Sequence, residues 1–106
     1  MTTDQRKSAR KIVKVRAVLA MEGQPPILTR TGDVSATGVS LTVPHPLQVG
    51  QAGQVAFDLL VDGQSFPVRA RVKVMYCIVS HGDFKVGFQF TNLDVNTTAQ
   101  LSRFMR

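Results

Sequence analysis

Two short runs of this sequence carry residues able to grip an anionic, hydrogen-bonding ligand. Arg6 and Arg10 stand four residues apart in Arg6-Lys7-Ser8-Ala9-Arg10. Each guanidinium offers N–H donors in a planar fork and no acceptor, so each suits a phosphate or the O6/N7 edge of a guanine. Lys7 adds a point charge without the fork. In a helix, this spacing would put both arginines on one face; in a turn, they could flank a ligand. The second run is Asp33-Val34-Ser35-Ala36-Thr37-Gly38. Asp33 can accept from guanine N1–H and N2–H₂ or hold an arginine in place. The Ser35 hydroxyl can meet a phosphate or a base edge, and Gly38 permits a close approach of the backbone. The same residue types also build ordinary Asx turns, and arginines are common on solvated surfaces. Each run by itself therefore leaves both roles open.

The charge distribution adds to the argument. The net charge is +6 over 106 residues. Residues 1–16 hold six basic side chains against Asp4 alone, whereas residues 17–106 hold seven basic and six acidic ones. A basic arm on a nearly neutral body points to an anionic partner that the arm reaches for. Composition is that of one ordinary globular domain, 43% hydrophobic and 19% charged. No apolar run is long enough to span a membrane. The N-terminus lacks the apolar stretch of a signal peptide, so a cytoplasmic location is expected. The single cysteine, Cys77, cannot form an internal disulfide, and its apolar surroundings suggest burial.

The elements that must position these residues read as strands. Residues 1–11 show no apolar periodicity and read as a flexible basic arm. From Ile12 to Met21 apolar residues recur with period two, the signature of a half-buried strand. Pro25-Pro26 breaks the ladder, and Ile27 to Thr31 makes a second strand leading to the Asp33 run. Val39, Leu41 and Val43 mark a third, and Val55 to Val61 a fourth. Asp62-Gly63 is a type I′ hairpin signal. Phe66 to Val74 returns with its apolar residues inward, and Pro67, on the outward set, suggests an edge or bulge. Ser80-His81-Gly82-Asp83 turns the chain into a last strand, Phe84 to Phe90. Asp94 or Asn96 can cap a short helix whose stripe is Leu101, Phe104 and Met105. Tight turns between sequential strands favour a closed six-stranded antiparallel, or split, β-barrel with a short C-terminal helix.

Taken in order, these features resemble the PilZ domain family of bacterial cyclic di-GMP receptors. That family's pattern places Arg-x-x-x-Arg before the first strand and Asp/Asn-x-Ser-x-x-Gly after the second. It continues with a Pro-containing loop and a Gly-hydrophobic-x-Phe strand, here Pro44 and Gly87-Phe88-Gln89-Phe90. The resemblance spans essentially the whole chain. It implies a barrel over residues 12–106, an arm over residues 1–11, and cyclic di-GMP bound outside the barrel by Arg6, Lys7, Arg10, Asp33, Ser35 and Gly38. It implies no other cofactor. Gln5 stands where many members carry a further arginine, a position linked to how many ligand molecules bind.

The expected function is a ligand-dependent adaptor, not an enzyme. The arm orders on cyclic di-GMP, and the new surface engages an effector protein in motility, biofilm or exopolysaccharide control. His45 and His81 have no metal-ligand spacing around them, and no nucleophile or phosphate-loop motif is present. Two alternatives are a basic barrel binding nucleic acid and an adaptor of the same fold that binds no nucleotide. The first is disfavoured because the strand aromatics fall on the inward set, with Tyr76 the only available stacking platform. The second is disfavoured because adaptors of that kind lack the arginine pair.

Overall fold

The computed structural model describes residues 9–106. Seven strands and one helix follow in order: β1 (Arg10–Ile12), β2 (Arg16–Met21), β3 (Ile27–Ser35), β4 (Gly38–Val43), β5 (Ala52–Val61), β6 (Gln64–Ser80), β7 (Asp83–Asn92) and α1 (Val95–Phe104). Every strand pair is antiparallel, and β3–β4 pairing closes the ring β2-β3-β4-β7-β6-β5. This is the six-stranded barrel expected, with β1 as a short seventh strand on β3. Inward residues fill its interior: Leu19, Val34, Leu41, Leu59, Val72 and Val86 are fully buried or nearly so. The alternation that marks them follows from side chains on a strand pointing to opposite faces.

Two turns form as their residues require. Asp62 and Gly63 both have positive φ, 51° and 80°, which is the type I′ geometry between β5 and β6. His81 and Gly82 repeat it between β6 and β7 at 51° and 88°. Pro67 pairs with Asp58 in a stretch of β6 whose other side is unpaired, since β7 joins only from Arg71. A missing donor costs nothing at such an edge.

Three local features depart from the simple alternation. The strand expected over Ile12 to Met21 is broken at residues 13–15. Thr31 fills the break: its Oγ1 accepts from Val15 N at 3.0 Å and donates to Val13 O. β2 pairs with β3 only through Arg30, so an edge of β3 lies open beyond that point. β1 occupies it, with Arg10 opposite Ser35 and Ile12 opposite Asp33. Arg10 and Lys11 thus belong to the sheet rather than to the arm expected over residues 1–11. The rest of that arm through Ser8 lies outside the described residues. Finally, β6 runs past Val74 to Ser80 through a bulge at Met75, which has no partner between the pairs Val74–Phe88 and Tyr76–Gly87. There the Tyr76 ring lies against Gly87, where a Cβ would come within 2.0 Å of it. Cys77 follows the bulge and is half-buried against the core.

Helix α1 starts where Asp94 Oδ1 accepts from Thr97 N at 2.7 Å. That hydrogen bond holds the Asp94 carboxyl below its ordinary pKa of 3.8. Leu101 is buried against the barrel, and Arg103 pairs with Asp62 at the tip of the β5–β6 hairpin. No described helix is long and apolar enough to cross a membrane.

Candidate ligand site on the outer wall

A bulge in β3 decides where Asp33 points. Thr29 and Thr31 face inward, opposite Ala17 and Leu41. Strict alternation would send Asp33 inward too. Instead the β3–β4 register shifts between Thr31 and Val34, so Val34 takes the next core position at zero exposure. One extra residue re-aims the carboxylate to the outer wall, a known use of bulges. Gly32 makes this possible, because a Cβ there would come within 2.8 Å of Ser40 Oγ. That hydroxyl in turn accepts from Asp33 N at 3.0 Å.

Once outside, Asp33 gathers cations. Arg10 Nη1 donates to Asp33 Oδ1 at 2.8 Å, and Lys85 Nζ approaches Oδ2 at 3.6 Å. The Asp33 side chain is 16% exposed and those of Arg10 and Lys85 are 38% and 39% exposed, so the cluster sits at the water boundary. Beside it lies a cleft of about 320 Å³ lined by Lys14, Gly32, Asp33, Ser40, Thr42 and Lys85, among others. Its charge balance is positive, with Lys14 and Lys85 on its walls against one carboxylate that Arg10 already engages. An anion carrying hydrogen-bond donors and acceptors suits such a surface. A larger hollow of about 530 Å³ lies beside Arg16 and Arg30 and contains none of the motif residues.

The rest of the second run builds the wall. Ser35 is fully buried, and its Oγ accepts from Thr37 N at 3.1 Å and Gly38 N at 3.0 Å. Its proton can go to Gly38 O or Thr37 Oγ1, both at 3.3 Å. The hydroxyl is therefore engaged in the β3–β4 turn. Gly38 is required by contact: a Cβ there would lie 2.1 Å from Phe88 O on the adjacent strand. Of the arginine pair, Arg10 reaches Asp33, while Arg6 and Lys7 lie outside the described residues. Sequence reasoning missed Lys14, Ser40 and Lys85. Each reads as an ordinary polar residue on a strand, and only barrel closure brings Lys85 of β7 beside Asp33 of β3.

Lys11, next to Arg10, ties this region to the helix. Its Nζ donates to Phe104 O at 2.7 Å and Arg106 O at 3.3 Å, and it lies 5.0 Å from the Phe104 ring centroid. A cation at a helix C-terminus offsets the orphan carbonyls there.

The structure resembles several solved proteins. An inhibitor of motility from Bacillus subtilis, MotI/DgrA, matches with a TM-score of 0.77 at 14% identity, over 88% of this chain and 46% of that one. The chain thus spans about half the length of that protein. The PilZ domain of CeSA from a cellulose-synthesizing bacterium matches with a TM-score of 0.60 at 15% identity, over 92% and 94% of the two chains. Borreliella burgdorferi PlzA, whose crystal structure is a complex with c-di-GMP, gives 0.62 at 16% identity, over 100% of this chain and 38% of that one. A search of curated proteins found no similar sequence. The sequence model of the PilZ domain, in contrast, matches residues 4–106. A match that begins in the arm and runs through the helix, on a barrel shared with solved members, leaves one assignment: the chain belongs to the PilZ domain family.

Proposed function

We propose that the chain is a cytoplasmic cyclic di-GMP receptor whose outer-wall cleft and N-terminal arm close on the ligand. The observation that carries this reading is the convergence of Arg10 and Lys85 on Asp33 at the rim of that cleft. Asp33 holds Arg10 in place before the ligand arrives, which lowers the ordering cost of binding. The Arg10 guanidinium keeps further donors for a phosphate or for guanine O6 and N7. Arg6 and Lys7, four and three residues before Arg10 in the sequence, would supply the second fork and an additional charge. Ser35 and Gly38 would act by shaping the wall. The family membership and the PlzA complex with c-di-GMP support the ligand's identity.

The signal would pass to an effector protein through the rearranged arm, and the likeness to a motility inhibitor supports motility as one output. The nucleic-acid alternative lacks a stacking platform, since none of the six phenylalanines nor Tyr76 is exposed. Amide-shift mapping with cyclic di-GMP tests the assignment. Shifts should concentrate on residues 6–12, 32–40 and 85–87. Shifts confined to the hollow beside Arg16 and Arg30 would refute it.

A further inference from the structure

A second outer face of the barrel carries an apolar row framed by arginines. Cross-strand pairing sets Leu28 beside Val18, Val18 beside Ala56, and Ala56 beside Arg69, so one row crosses β3, β2, β5 and β6. Leu28 is 80% exposed and Val18 39% exposed. On one flank Arg16 stands directly opposite Arg30; on the other, Gln54 stands opposite Arg71. Like charges directly opposite one another destabilise a sheet. Among the described residues, none of these four arginines is within ion-pair distance of a carboxylate. Among the described residues, Asp58 is the one acidic residue bordering the row.

We propose that this face docks an acidic-apolar segment of a partner protein. An aliphatic or aromatic side chain would cover Leu28 and Val18, and flanking carboxylates would take Arg16 and Arg30 on one side and Arg69 or Arg71 on the other. Charge complementarity selects this occupant. A second copy of the chain would bring the same arginines against these. Bidentate arginine–carboxylate pairing is the strong form of such contacts. The face also borders the ligand cleft, because Thr42 pairs with Arg30 on β3 and with Lys85 on β7. The docking proposal nevertheless stands apart from the cyclic di-GMP reading, and its test contains no nucleotide.

The test selects a random-peptide library on the folded chain, with counter-selection on an Arg16→Glu/Arg30→Glu variant whose circular dichroism matches the parent. The expected result is enrichment of peptides in which Asp or Glu flanks Leu, Ile or Phe. They should bind the parent with micromolar affinity and the variant at least about tenfold more weakly, and they should shift the Val18, Leu28 and Ala56 amides. If the double variant does not fold, Leu28→Ser, at an outward position, takes its place with the same expected loss. The proposal is overturned by no enrichment, by peptides without carboxylates, by equal binding to parent and variant, or by peptides that map to the Asp33 cleft. It is also overturned if a single-stranded oligonucleotide or a second copy of the chain occupies the same amides more tightly than the peptides.

Discussion

Arg10 Nη1 meets Asp33 Oδ1 at 2.8 Å, joining the second arginine of one sequence run to the single acid of the other. The contact depends on β1 occupying the open edge of β3 and on the bulge that turns Asp33 outward. Local backbone geometry thus assembles the pair, and its charges remain at the surface where a ligand can compete for them.

Arg10→Ala should abolish measurable cyclic di-GMP binding and leave the fold intact. Both partners are partly exposed, and exposed ion pairs contribute about 0–1 kcal/mol to stability. Calorimetric titration and thermal melting check the two halves separately. A folded variant that binds with parental affinity would remove Arg10 from the site.

Asp33→Ala and Ser35→Ala should separate binding from stability. Asp33→Ala should weaken binding strongly and barely move the melting temperature. Ser35→Ala leaves the buried Gly38 amide and the partly exposed Thr37 amide without their acceptor, at about 1–3 kcal/mol. It should weaken binding less than Asp33→Ala and lower the melting temperature more. The opposite pattern would mean that Asp33 builds the turn and Ser35 meets the ligand.

The strands were legible in the sequence wherever one face is buried and the other wet, as at Val55, Phe57, Leu59 and Val61, because burial itself imposes the period of two. Asp62-Gly63 was legible because few residues tolerate positive φ, and the helix start, to within two residues, because Asp94 and Asn96 both carry side chains able to accept from its first amides. The Gly32–Asp33 bulge was not, since an extra residue is defined only against the register of β4. The extension of β6 past Met75 was hidden in the same way. Lys85 could not be identified because its partner lies 52 positions earlier and is reached only through barrel closure. Arg6 and Arg10 were legible as chemistry, but sequence alone could not tell that Arg10 joins a strand.

Lys11→Ala should loosen the end of α1. It removes two hydrogen bonds to carbonyls at the helix C-terminus and the contact with the Phe104 ring. Amide exchange at Leu101 to Met105 should speed up, with the barrel strands unchanged. If β1 moves on ligand binding, cyclic di-GMP should alter the same amides in the parent chain. Unchanged exchange in both experiments would rule out a link between β1 and the helix.

Helix α1 should depend on acid pH through its cap. The folded state lowers the Asp94 pKa below 3.8, chiefly through the Thr97 backbone hydrogen bond. A depressed carboxyl contributes stability above its unfolded pKa and loses it as pH falls through the folded value. The Thr97 amide shift should hold constant from neutrality to about pH 5, then titrate at lower pH. Asp94→Asn should flatten that limb, and a titration of Thr97 near neutrality would contradict the assignment.

Recognition of cyclic di-GMP through Arg10 and Asp33 is the proposal from which the binding predictions follow. Calorimetric titration of the parent chain with cyclic di-GMP, with GTP and linear di-GMP as controls, tests it most directly. The expected result is a saturable heat with dissociation constant in the micromolar range, at least about tenfold weaker for both controls, and lost in Arg10→Ala. It also gives the stoichiometry. Absence of saturable binding by the folded parent, or equal binding of GTP, would mean that the chain is not a cyclic di-GMP receptor.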